Sequence, residues 1–176
     1  MDDKAVNDVC GWLEHRCTDD MEYMSCVRDI FESNEFRKME NFIQHGTTTT
    51  MQHCVAVSYV SYKICRKYNL DYRSAARAGL LHDMFLYDWH TYHRDTGKRF
   101  HGLTHPGTAL RNAEKVFNLS DAEKNIILRH MWPLTIIPPK TKEGFAVVYA
   151  DKYCTILETV TFLRRFVEFI SAGNCM

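Results

Sequence analysis

The sequence predicts an all-α fold. Apolar residues recur near the helical period along most of the chain, helix caps punctuate that pattern, and no stretch alternates with period two long enough to suggest a sheet. Segment 51–68 places His53, Val57, Val60 and Ile64 at i, i+4, i+7 and i+11, one face of a helix. The threonine run before it offers N-cap hydroxyls. Asp71 caps a second helix, in which Ala75, Ala76, Ala78 and Gly79 allow a neighbouring helix to come close. Residues 86–103 mix aromatics, histidines and basic groups without a period and read as a loop. A helix then opens near "THPG", with Thr104 as cap and Pro106 in the first turn. Ser120 and Glu123 form a capping box for the next helix, which runs to about His130. The three prolines of "WPLTIIPP" interrupt the chain before a long helical region over 143–170.

At 176 residues the chain reads as one compact domain with a real hydrophobic core. Residues 1–45 are expected to form a helical extension packed on the core, with Phe36, Met39, Phe42 and Ile43 on one side, and 46–176 the main domain. The apolar residues of "TFLRRFVEFI" (Phe162, Leu163, Phe166, Phe169 and Ile170) either pack on that core or pair subunits in a homodimer. Formal net charge is zero, which argues against nucleic acid or an anionic membrane as partner. No apolar run reaches the roughly 18–20 residues that span a bilayer. The N-terminal "MDDKAVNDVC" is too polar for a secretory signal. Seven cysteines without a CxxC, with Cys54, Cys65 and Cys154 in apolar helical patterns, suit buried thiols in a reducing cytoplasm.

Six ionisable residues break the apolar pattern. His53 shares a face with valines, and His82 and Asp83 lie in the run "LLHDMF". His130 lies over Ile126 and Ile127, Asp151 lies beside Val147, Val148 and Cys154, and His105 stands at a helix start. A single histidine on an apolar face is usually a core residue satisfied by a carbonyl. Two carboxylates and four imidazoles together need a common explanation. Asp83 has no Lys or Arg within four residues, and burying an unpaired carboxylate costs several kcal/mol or more. A bound cation satisfies all six at once. Nitrogen and oxygen donors without thiolates suit Fe or Mn, with Zn, Co or Ni also compatible.

The ordered set His53, His82-Asp83 and Asp151 resembles the HD-domain superfamily of metal-dependent phosphohydrolases over about residues 45–155. The added His105 and His130 are similar to the subset that binds two metals. This resemblance implies that His53, His82, Asp83 and Asp151 hold a first divalent ion, that Asp83 bridges, and that His105 and His130 complete a second site. It also implies a helical bundle and a metal-activated water that cleaves a small phosphorylated, nucleotide-like substrate. Arg94, Lys98, Arg99 and Lys152 are candidates to hold its phosphate; His45, His90, His93 and Trp132 are candidates to line the pocket, and Trp89 to shape it or stack a base. Many members carry HDxGK, whose lysine reaches phosphate; here Phe85 and Leu86 stand at those positions. The same ligand pattern resembles the di-iron oxygenases of the superfamily, which act on a polyol or phosphonate. A non-catalytic nucleotide-binding domain is the third reading.

Overall fold

The computed structural model describes residues 16–91 and 101–173, with side chains to Arg164. After a helical turn at 16–19 come α1 (Met21–Phe31), α2 (Asn34–Arg37) and a 3-10 turn, Lys38–Asn41. A small antiparallel hairpin follows, β1 (Ile43–His45) and β2 (Thr48–Thr49). The remaining elements are α3 (Thr50–Lys67), α4 (Tyr72–Leu81), α5 (His101–Glu114), α6 (Asp121–Arg129) and α7 (Lys142–Gly173). The fold is a helical bundle in which α3 packs chiefly on α4 and α7, while α6 packs on α4 and α5.

Local chemistry explains where the helices begin. The Thr49 hydroxyl accepts from the Gln52 amide while the Gln52 side chain accepts from the Thr49 amide, a complete capping box for α3. Asp71 accepts from the Ser74 amide, and Ser120 with Glu123 closes a second capping box on α6.

The small residues of α4 set the bundle's closest crossing. A Cβ at Gly79 would stand 2.7 Å from Ser58 Cα, so the two backbones touch where glycine is required. Ser58 reinforces the crossing by donating to the Ala76 carbonyl at 2.6 Å, and Tyr23 of α1 meets the Ser58 hydroxyl at 2.9 Å. Tyr23, Val27, Ile30, Phe36 and Met39 are fully buried, so the segment before the hairpin contributes to the same core as α3 and α4. Cys54, Cys65 and Cys154 are buried thiols in that core.

Three local expectations change. Ile43 is exposed, because the chain leaves its helical turn at Asn41 and enters a strand that turns Ile43 outward and Gln44 inward. Thr104 does not cap α5: it lies inside that helix, which already covers His101, so His101 is helical and stands one turn before His105. His82 and Asp83 are not within α4. His82 is its C-cap and Asp83 lies in the turn beyond.

The hairpin is fixed by its turn. Gly46 has φ +58°, and the Phe162 ring of α7 occupies the space a Cβ would need, 2.6 Å away. Gln44 is thereby held over the bundle's interior. Among the described residues, no helix is long and apolar enough to cross a membrane.

Gly79→Ala tests the helix crossing. The added methyl meets backbone rather than a flexible side chain, so a loss of about 1–3 kcal/mol is expected from the shift in urea midpoint. An unchanged midpoint would show that α3 and α4 separate without cost.

Candidate metal centre

Each of the four histidines is fixed by its Nδ1 atom. His82 and His130 cap the C-termini of α4 and α6, where backbone carbonyls lose their helical partners. Both rings satisfy the carbonyl three residues back: His82 Nδ1 lies 2.8 Å from the Gly79 oxygen, and His130 Nδ1 lies 2.8 Å from the Ile127 oxygen. In α5, His105 Nδ1 lies 3.0 Å from the His101 carbonyl oxygen. His53 Nδ1 meets both Glu158 carboxylate oxygens, at 3.0 and 3.1 Å. A carbonyl or carboxylate can only accept, so all four Nδ1 atoms carry the proton. The neutral ring therefore presents the Nε2 lone pair, the tautomer that binds metals.

The four Nε2 atoms turn toward two carboxylates. His53 Nε2 is 3.2 Å and His82 Nε2 3.7 Å from Asp151 Oδ1. His82 Nε2 is also 3.6 Å from Asp83 Oδ2. On the other side, Asp83 Oδ1 is 3.1 Å from His105 Nε2 and 3.4 Å from His130 Nε2, and these two nitrogens lie 2.9 Å apart. The six residues thus form two adjoining groups with Asp83 common to both.

This arrangement fits a cation and poorly fits its absence. His82 Nε2 and Asp83 Oδ1 are buried without a hydrogen bond. His105 and His130 aim lone pairs at each other and at a carboxylate oxygen, an array of electron-rich atoms that only a proton or metal can bind together. Groups drawn from these residues, His53-His82-Asp151 and His82-Asp83-His130, have ligand atoms close enough to share an ion. Every donor is nitrogen or oxygen, which suits a divalent transition metal. Cys54 approaches His82 only at Nδ1, 3.8 Å away on the side turned from the cluster.

The surrounding residues orient the clustered side chains. Gln44 donates from Nε2 to Asp83 Oδ2 at 2.6 Å, while its Oε1 faces the Thr50 hydroxyl at 3.2 Å, which sets the amide's orientation. Asn112 of α5 donates to the Met84 and Phe85 carbonyls, holding the turn just after Asp83. Asp151 and Glu158 stand seven residues apart on α7, two turns along one face, so one helix supplies a carboxylate of the cluster and the carboxylate behind His53. Arg77, the nearest basic residue before Asp83 in sequence, is committed elsewhere: it pairs with Glu123 at 2.7 Å and Asp29 at 2.6 Å.

Four residues of the cluster, Asp83, His105, His130 and Asp151, line a cleft of about 720 Å³. His45 and Lys152 line it, Lys152 with an exposed side chain. His90 does not line it; its ring lies on Trp89, at 4.1 Å, and Nδ1 meets Asp88. Trp132 is also absent from the wall, because it packs edge-on against Phe145 while its neighbours Met131 and Pro133 face the cleft. Trp89 does line the cleft, where its ring stacks with His90 at 4.1 Å and His101 at 5.6 Å and its Nε1 donates to the Gln44 carbonyl. Arg94, Lys98, Arg99 and His93 lie outside the described residues.

Gln44, His101 and Glu158 were not expected in these roles. His101 stacks on His105 with ring centroids 4.6 Å apart and faces the Tyr87 hydroxyl at 3.1 Å. Burial and the neighbouring His105 lower its pKa to about 4. The spacing of four between His101 and His105, and of seven between Asp151 and Glu158, was the available signal.

Electrostatics give two testable consequences. Burial opposes charge on His53, but Glu158 and Asp151 outweigh it and raise the imidazole well above 6.5. Burial likewise opposes charge on His82, and Asp83 overcomes it. Burial would raise Asp83, yet His82 and His105 hold its carboxyl well below the usual range. In metal-free protein the raised imidazoles contribute stability that is complete below the ordinary histidine value and lost as pH rises through their raised values. Chelator-treated protein is therefore expected to melt several degrees lower at pH about 9.5 than at about 6.5. Metal loading is expected to release protons and remove most of that difference. Equal melting temperatures without metal would remove the charged imidazoles from the account. Glu158→Gln keeps the size but not the charge behind His53, and is expected to weaken metal binding about 10- to 100-fold in a chelator competition. Unchanged affinity would leave Glu158 a packing residue.

The HD domain family model matches residues 50–156, well over half of the chain. No curated protein and no solved structure matches it. The match covers all six clustered residues, from His53 to Asp151. With buried His/Asp groups suited to a metal ion inside the matched region, the chain belongs to the HD domain family, whose members are generally metal-dependent phosphohydrolases.

Proposed function

We propose that this protein is a dinuclear metal-dependent phosphohydrolase that cleaves a small phosphate ester or anhydride. The observation that carries the reading is the Asp83 carboxylate: one oxygen faces His105 and His130, the other faces His82, and the group lies at the floor of an accessible cleft. In this reading His53, His82, Asp83 and Asp151 hold one divalent ion, and Asp83, His105 and His130 hold another, with Fe or Mn as the preferred metals. Bound there, the ions supply Lewis acidity for a phosphoryl oxygen and a water that ionises near neutral pH.

The protein's own groups do the rest. Gln44 keeps one Asp83 oxygen directed by its hydrogen bond, and Glu158 accepts the hydrogen bond of His53 Nδ1–H so that Nε2 stays available. Lys152, next to Asp151 and on the cleft wall, offers an ammonium to the substrate's phosphate. Arg94, Lys98 and Arg99 remain candidates for the same task. The partner is thus a small phosphorylated molecule, and neither nucleic acid nor a membrane is needed.

Three measurements test this reading. Protein loaded with Mn or Fe is expected to hydrolyse phosphate monoesters with two metals per chain. His105→Ala is expected to retain one metal and lose about 100-fold or more in kcat/KM. Two metals retained in that variant would take His105 out of the site, and oxygen uptake without phosphate release would replace the hydrolase by an oxygenase. Lys152→Ala is expected to keep both metals and lower kcat/KM roughly tenfold, mainly through KM; unchanged kinetics would leave Lys152 in solvent.

A further inference from the structure

The cleft has a second chemical character that the metal ligands do not explain. Beyond its His/Asp floor, most of its exposed lining is carbon. Met131, Pro133 and Leu134 from the segment after α6 meet Ile156 from α7 on the wall. Leu134 is 59% exposed and Ile156 62% exposed, so these large apolar side chains face the opening and are not packed into the core. Scattered apolar residues on a convex surface need no explanation. Several gathered on a concave wall beside a polar floor are the usual form of a small-molecule site.

The wall is also built, not incidental. Gly102 of α5 lets it close up: a Cβ there would stand 3.1 Å from Leu134 Cδ2 and 3.6 Å from Met131 Cε. The wall therefore packs directly on the backbone of the helix that carries His105. On α7 the order Asp151, Lys152, Thr155, Ile156 runs from ligand to ammonium to hydroxyl to hydrocarbon, all lining the cleft. A molecule entering along this gradient would put its charged end at the floor and its carbon-rich end against Leu134 and Ile156. The volume, about 720 Å³, lies within the range of small-ligand sites, roughly 300–1,000 Å³.

We propose that the cleft binds a phosphate ester whose organic group is apolar, with the phosphate over Asp83 and Lys152 and the apolar group on the wall of Met131, Pro133, Leu134 and Ile156. The inference deepens the phosphohydrolase reading and rests on it for the reaction, though not for the binding.

The test uses metal-loaded full-length protein, with n-alkylphosphonates from methyl to octyl as non-hydrolysable probes and the matching alkyl phosphates as substrates. Affinity for the phosphonates, by calorimetry, is expected to rise about threefold per methylene until the wall is covered. The doubly substituted Leu134→Asn, Ile156→Asn protein is expected to flatten that rise while keeping its metals, since both side chains are exposed and distant from the core. Affinity independent of chain length would overturn the inference, as would a rise that persists undiminished in the substituted protein. If esters are hydrolysed but binding is flat, the apolar assignment fails and the hydrolase reading stands. If binding climbs with chain length but no ester is cleaved, the apolar assignment stands and the hydrolase reading fails. Absence of any phosphonate binding would overturn both.

Discussion

A carboxylate held among imidazoles in the protein interior is the constraint from which the rest of the site follows. Asp83 is 4% exposed, and neither Lys nor Arg approaches it among the described salt bridges. Removing such a charge from water costs several kcal/mol even after relaxation. Histidine can repay that cost only by carrying a proton or by sharing a metal. The hydrogen bonds at the far side of each ring spend the Nδ1 proton on Gly79, His101, Ile127 and Glu158 and leave Nε2 open to either, a proton on His53 and His82 without metal or a metal ion in its place. The cluster is thus prepared for a cation by bonds that lie outside it.

The fold makes those bonds with ordinary helix chemistry. Two helices end at a histidine, and in each the ring takes over a carbonyl that the helix can no longer satisfy. The same residue therefore finishes its helix and faces the site. The close crossing at Gly79 and Ser58 lies three residues before His82, so the contact that brings α3 against α4 also sets the distance between His53 and His82. The hairpin adds Gln44, fixed because the Phe162 ring fills the space beside Gly46. Stability and ligand placement are supported by the same contacts, so changes in either are expected to couple.

Much of this was legible in the sequence, and for identifiable reasons. Helical period and caps give α3, α4, α6 and α7 nearly to their ends, because Thr49, Asp71 and Ser120 act through local hydrogen bonds. The six residues of the cluster were legible because a polar group on an apolar face is costly, and that cost does not depend on knowing the partners. What could not be read was whatever depends on distant partners. Glu158 looks like one more charged residue on a long helix until α7 is laid against His53. Gln44 looks like a loop residue until a strand turns it inward. His101 was assigned to a loop because Pro106 suggested a later helix start, whereas α5 already covers His101. Trp132 looked like a pocket aromatic, but it packs on Phe145, whereas Trp89 does line the cleft. The apolar wall was invisible for the opposite reason: in sequence, Leu134 and Ile156 are indistinguishable from core residues.

The central claim is that one carboxylate serves two metal ions. Anomalous diffraction from crystals of the manganese-loaded protein tests it most directly. The account predicts two peaks roughly 3.5–4 Å apart, one beside His53, His82 and Asp151, the other beside His105 and His130, with Asp83 touching both. A single peak, or two peaks with Asp83 bound to only one, would contradict it.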